Sequence, residues 1–506
     1  MKDLTLFPGE EIIDNSKWRV DNFSFNNFAK QDARLALEEK YFPIVEISDD
    51  YNRKSVSYQL SKKDCLHKWL KYKEGFSADL VNKLLDEFGI IPGNTILDPF
   101  LGSGTTSIVC QMKGINSIGY DILPTSAVAI KAKENVFNYD IDEITTLVHE
   151  LNQIEVPQSF DKKYRYVSVT EGAYPEITEK EIVYYSEWID NSHYSDIIKN
   201  LVKLSILNAL EQVSYTAKDG QYLRWDYRSK KMIEAKAERE ANGRKPFVVR
   251  LDKGELPSLK HVLIKELQDV LSDIIYIQKK TKRQKATIKF EQGSVLYKLP
   301  LVPSNSINGV ITSPPYCNRY DYTRTYALEL NYLGLSAKEI ATLRQALLSC
   351  TVENKSKLDC LKDYYSNIGR LSDYNKIVCI IKSNAALQEV ISALKLRDAN
   401  GDINNKGILR MVEGYFTELA FLYFEIYRVC QPGSKVAFVN DNVRYAGEVV
   451  PVDFISTELA TQIGFTPIKI YTLKQQKGNS SQQMKKFGRV ALRKSITVWE
   501  KNNVSG

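Results

Sequence analysis

The sequence predicts an α/β protein: a doubly wound sheet carrying one large insert and one smaller helical insert. Three observations carry this expectation. A strand, a glycine turn, a helix and a second strand follow one another between Asn94 and Asp121, which is how such a sheet opens. The same alternation returns near residue 288 and runs on through the C-terminal part. The stretch between is about twice what the intervening elements of a bare sheet need.

The composition suits a packed protein. At ~100–200 residues per domain, 506 residues make roughly two to four domains. With 43% hydrophobic and 26% charged residues, disorder is not the expected state. A net charge of +7 and a pI of about 8.7 permit a nucleic-acid partner without demanding one. The seven cysteines, at 65, 110, 317, 350, 360, 379 and 430, form no CxxC pair, and there are four histidines. No metal site or disulfide framework is expected, and a reducing cytosol fits. The N-terminal MKDLTLFPGEEIIDN has no apolar core of a signal peptide. No apolar run approaches the ~20 residues of a membrane span.

The elements follow in order. Residues 1–60 are mixed and polar and read as an N-terminal arm. Residues 66–90 read as a helix, with Leu80, Val81, Leu84, Leu85 and Phe88 at helical spacing and Gly89 as its stop. A strand ends at Asp98, a helix spans Ser107–Lys113, and a strand spans Ser117–Asp121. Residues 141–286 break the alternation. They are rich in Tyr and Lys, contain amphipathic stretches such as Asp196–Glu211, and read as an inserted domain. Strands return at Thr287–Glu291 and Gly309–Thr312. Residues ~330–412 read as the helical insert. The chain then gives helix Tyr415–Val429, a turn at Gln431-Pro-Gly433, strand Lys435–Val439, helix Asp453–Ile463, strand Ile468–Leu473 and strand Ser495–Glu500. Residues 61–140 and 287–506 thus make up one catalytic domain.

Two motifs carry chemistry. Asp98-Pro-Phe100-Leu-Gly102-Ser-Gly104-Thr105-Thr joins a strand to a helix. Its glycines let the backbone turn tightly and let a ligand approach. The helix behind offers free N–H groups. Asp121, at the end of the next strand, is placed to accept hydrogen bonds from ribose hydroxyls. No GK[ST] follows, so this is no phosphate loop. Ser107 stands where a dinucleotide fingerprint needs glycine.

The second motif, Val310-Ile-Thr-Ser313-Pro314-Pro315-Tyr316, runs a strand directly into two prolines. Prolines cannot continue a ladder, so the chain leaves the sheet in a fixed shape at the strand end, where open α/β sheets bind ligands. An aromatic amine is a weak nucleophile, because its lone pair is delocalised into the ring. Hydrogen bonds accepted by the Ser313 hydroxyl and the Pro314 carbonyl can free that lone pair, and Tyr316 can stack on an extruded base. Cys317 follows at once, in a context that does not suit a nucleophile, and reads as structural.

Together these motifs resemble the SPPY-type DNA amino-methyltransferases, whose first motif is DPFxGSGTT-like and whose fourth is [SDN]-P-P-[YFW]. The resemblance implies a Rossmann-like methyltransferase sheet. It also implies S-adenosylmethionine as cofactor, held by Asp98, Phe100, Gly102, Gly104, Thr105 and Asp121. In the family a segment placed like Trp69–Ser77 closes over the methionine end, which adds Phe76 and Ser77. Serine at position 313 is typical of cytosine-N4 enzymes, and Asp or Asn of adenine-N6 enzymes. Arg319-Tyr-Asp-Tyr-Thr-Arg324, Ala327-Leu-Glu-Leu, Arg428–Gly433 and Asn440-Asp-Asn442 extend the likeness. Gln292-Gly293-Ser294 departs from it, standing where the family often has an Asp against the adenine ring. A target-recognition domain lying between the two motifs is a known arrangement in the family, and residues 141–286 take that place.

Double-stranded DNA is the expected partner. Lys279, Lys280, Lys282, Arg283 and Lys285 form a basic run with no acidic residue, suited to phosphates. Arg224, Arg228, Lys230 and Lys231 alternate with Tyr and Trp, suited to backbone contact and stacking. Glu234-Ala-Lys236 matches half of a nuclease motif but lies in a helix-like run without a partner Asp. The expectation is a cytoplasmic bacterial or archaeal enzyme that methylates cytosine N4, with a possible cognate restriction endonuclease. Adenine N6, an RNA or protein amine, and a non-catalytic DNA-binding protein on the same scaffold are the alternatives.

Overall fold

The computed structural model describes residues 18–502 apart from 49, 53, 220–221, 246–247, 474–483 and 489. Residues 1–17 of the expected arm therefore lie outside the described residues. Eight strands form the main sheet: β1 (Val45–Ile47), β2 (Thr95–Asp98), β3 (Asn116–Asp121), β4 (Ile288–Gln292), β5 (Ile307–Thr312), β6 (Cys430–Asp441), β7 (Phe465–Thr472) and β8 (Lys494–Lys501). Their order is β1-β7-β8-β6-β5-β2-β3-β4. β8 is antiparallel to both its neighbours, and every other neighbouring pair is parallel. The chain steps outward from β2 through β3 to β4, then returns to β5 on the other flank of β2. The crevice at that reversal is where an open α/β sheet receives a ligand.

Both faces of the sheet are covered, and the strand sequences show it. Neighbouring residues alternate between two separate apolar clusters. Ile96, Ile311, Ala437 and Val439 pack with Leu80, Leu84 and Val109 of helices Ala78–Glu87 and Thr105–Met112. Leu97, Val310, Val436 and Phe438 pack with Phe416, Leu419 and Leu459 of helices Gly407–Val429 and Val452–Ile463. Doubly buried strands of this kind read as continuous apolar runs, as Gly309–Thr312 does.

Residues 141–286 are mainly helical and share one apolar cluster with Trp69, Ala129 and Tyr326. Helices Ile141–Gln153, Glu176–Asp190, Asp196–Ala209 and Leu259–Lys280 bury Leu147, Ile182, Leu201, Leu263, Leu267 and Ile274 together. A two-stranded hairpin, Thr216–Asp219 with Tyr222–Trp225, stands beside them. Helices fill most of residues 330–412.

One expectation needs correction. The helix read over 66–90 begins only at Ala78, because the Ser77 hydroxyl accepts from the Leu80 N–H at 3.3 Å and caps it there. Upstream, Leu66 has a positive φ of 65°, and residues 70–77 form an irregular segment that reaches the ligand crevice.

The N-terminal segment is tied in by buried charge. Arg493, just before β8, is fully buried and meets Glu38 and Asp453, each at 2.9 Å. Arg34, also fully buried, meets Glu389 at 2.9 Å and Glu448 at 3.2 Å. β1 adds an edge strand beside β7. Replacing Arg493 by Ala strands two buried carboxylates, a loss of about 3–5 kcal/mol. Denaturant unfolding of Arg493→Ala checks this, and a change below ~1 kcal/mol would mean that water reaches the group.

Candidate active site

The crevice lies at the carboxyl ends of β2, β3, β4 and β5 and opens to solvent, with about 790 Å³ of space when its mouth is included. Pro99 to Ser103 and Thr105 come from the first turn, Asp121 to Leu123 from the second, Gly293 to Leu296 from the third, and Ser313 and Pro315 from the fourth. The irregular segment gives Tyr72, Glu74, Gly75 and Phe76, and the helical insert gives Leu347 and Leu348.

The glycine turn has the form its residues imply. Gly102 has φ +56°, and a Cβ there would meet the Tyr72 ring at 2.8 Å. Gly104 has φ +90°, and a Cβ there would meet the Ile130 side chain at 2.9 Å. Side chains at either position would be both strained and obstructed. The Gly102 N–H donates to Asp121 Oδ2 at 2.9 Å, and the Leu123 N–H donates to Asp121 Oδ1 at 2.8 Å. A carboxylate offers about four acceptor sites, so Asp121 keeps capacity for a ligand hydroxyl. Burial raises its pKa, against the pull of those N–H donors. Below the turn, the fully buried Lys133 ammonium donates to the Ser103 carbonyl at 2.8 Å. Burial pulls Lys133 down to about 7.

Asp98 is buried beneath the crevice and does not line it. It accepts from the Thr106 hydroxyl at 2.6 Å, the Thr312 hydroxyl at 2.6 Å and the Phe100 N–H at 3.1 Å. It thus joins the glycine turn to the strand that ends at Thr312, just before Ser313. Ser77 is likewise buried, capping its helix and donating to the Ser55 carbonyl at 2.9 Å. Of the residues expected to hold the cofactor, Phe76, Phe100, Gly102, Thr105 and Asp121 face the crevice, whereas Asp98, Gly104 and Ser77 shape it from behind.

The Ser313 hydroxyl lies 3.2 Å from the Tyr316 hydroxyl and 3.4 Å from the Val439 carbonyl, and can donate to either. Donating its hydrogen there leaves its lone pairs to accept from a ligand amine. The Lys494 ammonium sits 5.0 Å from the Tyr316 ring centre and 3.5 Å from Asp441. Burial opposes that charge, but Asp441 and Tyr316 outweigh it and raise the Lys494 pKa. Burial pushes the Cys317 thiol up, away from the thiolate that covalent attack requires.

Several of these residues carry no motif. Tyr72 stacks on Tyr326 with centroids 5.3 Å apart, and the Tyr326 hydroxyl donates to Glu74 at 2.5 Å. Tyr72, Glu74, Lys133, Leu347 and Lys494 were not legible as site residues. Gly293 and Ser294 do line the crevice at the family's departure point, and the Gly293 N–H donates to the Asp121 carbonyl at 2.8 Å.

The expected S-adenosylmethionine fits these residues. The crevice pairs apolar walls at Phe76, Phe100, Leu296 and Leu347 with a carboxylate at Asp121 for ribose hydroxyls. Gly102 brings bare backbone to its edge.

The candidate DNA residues divide by position. The run from Lys279 to Lys285 is exposed, but it precedes the amino end of β4, beside the Gly114 turn that precedes β3. The crevice is at the other end of both strands, ~16 Å away along a five-residue strand. Arg283 donates to Asn138 at 2.9 Å. The hairpin is nearer: its Lys218 ammonium lies 4.4 Å from the Tyr326 ring centre, and Lys218 also pairs with Glu329. Arg224 and Lys231 belong to this part, with Lys231 stacked 4.5 Å over Trp225. Arg228 is held bidentate by Asp226 at 2.9 and 2.8 Å, and Lys230 lies 3.7 Å from Glu234. Glu234-Ala-Lys236 sits on the helix Lys230–Ala241.

Comparison with known proteins agrees with the geometry. A model of the N6/N4 methyltransferase family, described as DNA methylase, matches residues 18–132. The chain is 54% identical over 484 residues to the type II methyltransferase M.BsoBI of Geobacillus stearothermophilus, covering 96% of this chain and 95% of that protein. It is 36% identical to the type II methyltransferase M.AvaI of Nostoc sp. (strain PCC 7120), covering 94% and 95%. The M.AvaI of Anabaena variabilis matches to the same extent.

Two expectations follow from the geometry. Burial raises Asp98 from 3.8 to about 6. A carboxyl that holds its proton more tightly when folded lends stability below its unfolded value, and that stability is lost as pH rises through about 6. Wild type should therefore lose stability relative to Asp98→Asn between about pH 4 and pH 6. Unfolding curves across that range check this, and a difference flat in pH would remove the assignment. Second, the triple change of Lys282, Arg283 and Lys285 to Ala should leave the salt dependence of DNA binding unchanged. A slope lower by about two or three would bring DNA to that end of the sheet.

Proposed function

The chain belongs to the amino-methyltransferase family of type II DNA methyltransferases, and on that premise we propose that it methylates the N4 amine of a flipped cytosine within a specific DNA site. The observation that carries this reading is Ser313 at the mouth of the same crevice as Gly102 and Asp121. One end of the crevice suits the methyl donor and the other suits an amine. The family implies S-adenosylmethionine, which supplies an electrophilic methyl on a sulfonium when bound.

The chain's own residues supply position and polarity. Asp121 orients ribose hydroxyls, and Phe76, Phe100 and Leu347 exclude water. The Ser313 hydroxyl and the Pro314 carbonyl accept the two amine hydrogens, which draws the nitrogen toward tetrahedral geometry and frees its lone pair. With Lys494 set against the Tyr316 ring, the base stacks on the opposite side. Holding amine and methyl in line replaces a rare encounter by a short transfer, and no covalent adduct with the protein is required.

Residues 141–286 serve as the target-recognition region in this reading. Its hairpin and following helix supply Arg224, Arg228, Lys230 and Lys231 as the cations that meet DNA. The kinship with two type II methyltransferases supports a restriction–modification setting, with a cognate endonuclease reading the same site. Adenine N6 is the second reading, because Asp or Asn and Ser all offer an acceptor at this position.

Ser313→Ala and Tyr316→Ala should each reduce methylation by at least about a hundredfold while calorimetry still shows cofactor binding. Nucleoside mass spectrometry of plasmid DNA from expressing cells should show N4-methylcytosine. N6-methyladenine would transfer the mechanism to the other base, and full activity of both variants would sink it.

A further inference from the structure

The loop that leaves the catalytic turn contains a cation with no evident structural duty. Arg319 lies three residues beyond Tyr316 and has a φ of +66°. Left-handed backbone is uncommon for a residue with a side chain, and such strain persists only where the surroundings enforce it. Here they do. The Tyr445 hydroxyl donates to the Cys317 carbonyl, the Asn318 N–H to the Tyr316 carbonyl at 2.7 Å, and the Tyr320 N–H to the Asn318 side chain at 3.1 Å.

The neighbouring arginines are all committed. Arg324 pairs with Asp321 at 3.2 Å and Glu353 at 2.6 Å, and Arg344 pairs with Asp321 at 2.8 Å. Arg410 donates to the Asn354 carbonyl at 2.8 Å and the Val352 carbonyl at 3.0 Å. Arg319 has no carboxylate within ion-pair distance among the described residues. Its contact is a long one, Nη1 to Asn404 at 3.5 Å, and its Nε is buried without a partner.

Arg319 instead lines a polar hollow open to solvent, together with Asp321, Arg324, Thr351, Glu353 and Asn405. The two carboxylates in this hollow are already neutralised by Arg324 and Arg344. The Asn405 side-chain oxygen accepts from the Gly407 N–H at 2.8 Å, which leaves its NH₂ to donate. Among the described residues, what the hollow leaves over is the Arg319 guanidinium, held by one long contact to Asn404, and the Asn405 amide donors, a set that recognises an anion.

We propose that this hollow takes a backbone phosphate of the DNA next to the target nucleotide, with Arg319 as the positioning residue that grips it. This rests on the reading of Ser313–Tyr316 as the base site. Three residues reach at most ~11 Å, so Arg319 leaves the chain close to that site. A base that swings out of the helix carries its sugar and flanking phosphates toward the same mouth. Arginine matches a phosphate through paired N–H donors, and the strained backbone aims it before DNA arrives.

The test uses the full-length enzyme with a duplex containing its methylation site and a duplex lacking it. Arg319→Ala should leave cofactor affinity unchanged, weaken binding to the duplex with the site about tenfold and to the other duplex less, and lower the salt slope on the first by about one. The KM for DNA should rise more than kcat falls. Arg319→Lys should recover most of the slope. Arg319→Gly relieves the positive φ, so it should be at least as stable as wild type and still lose DNA affinity, which separates the contact from folding. Unchanged affinity and slope in Arg319→Ala would overturn the proposal. A loss of affinity with an unchanged salt slope would also overturn it, by making Arg319 a base reader. If wild type methylates no DNA, the reading of the base site has failed independently of Arg319.

Discussion

Asp98 accepts hydrogen bonds from three stretches of chain, and each stretch carries a different part of the site. The Phe100 N–H fixes the turn that leads to Gly102, the Thr106 hydroxyl fixes the helix behind that turn, and the Thr312 hydroxyl fixes the last residue before Ser313. The glycine turn and the Ser313 turn are thereby tied to one carboxylate. An in-line transfer is sensitive to their separation, since a small misplacement of the reacting atoms costs much of the rate. The rest of the fold keeps this carboxylate dry. β2 lies between β3 and β5, with apolar clusters on both faces of the sheet.

How much of this was legible depended on whether a residue acts through local pattern or through tertiary proximity. The α/β alternation, β2 to β3, and the strands from Lys435 onward are local patterns, and they stand within a few residues of where the sequence puts them. Gly102 could be read because a left-handed turn constrains its own position. Tyr72 and Lys133 could not. Tyr72 matters because it meets Gly102 and Tyr326, and Lys133 because it meets the Ser103 carbonyl from another helix. The helix over 66–90 misled because its apolar spacing begins only after Ser77, and the residues before it pack on the crevice instead. Asp98 was legible as important, but its partner Thr312 is 214 positions away in the chain and carries no signal of its own.

The helical region of residues 141–286 places its two basic segments differently. The run after Lys279 ends up at the amino ends of the strands, because a parallel strand must be entered from that side. The hairpin reaches the carboxyl ends because Lys218 inserts against Tyr326 and Glu329. Charge density in a sequence therefore says nothing of which end of a sheet it will serve. Topology decides that, and here it favours the shorter and less basic segment.

The insertion of β8 between β6 and β7 bears on how the protein comes into being. β8 is the last of the eight strands along the chain, yet it completes the middle of one half of the sheet, and Arg493 beside it gathers Glu38 and Asp453 from far apart. A growing polypeptide cannot close that half before residue 501 is available, and pairings this distant in sequence form slowly. Until then β6 and β7 have open edges, and the carboxylates awaiting Arg493 have no counter-charge. A chain released early would be a target for proteolysis rather than a partly active enzyme. The modifying activity thus emerges all at once, with the final strand.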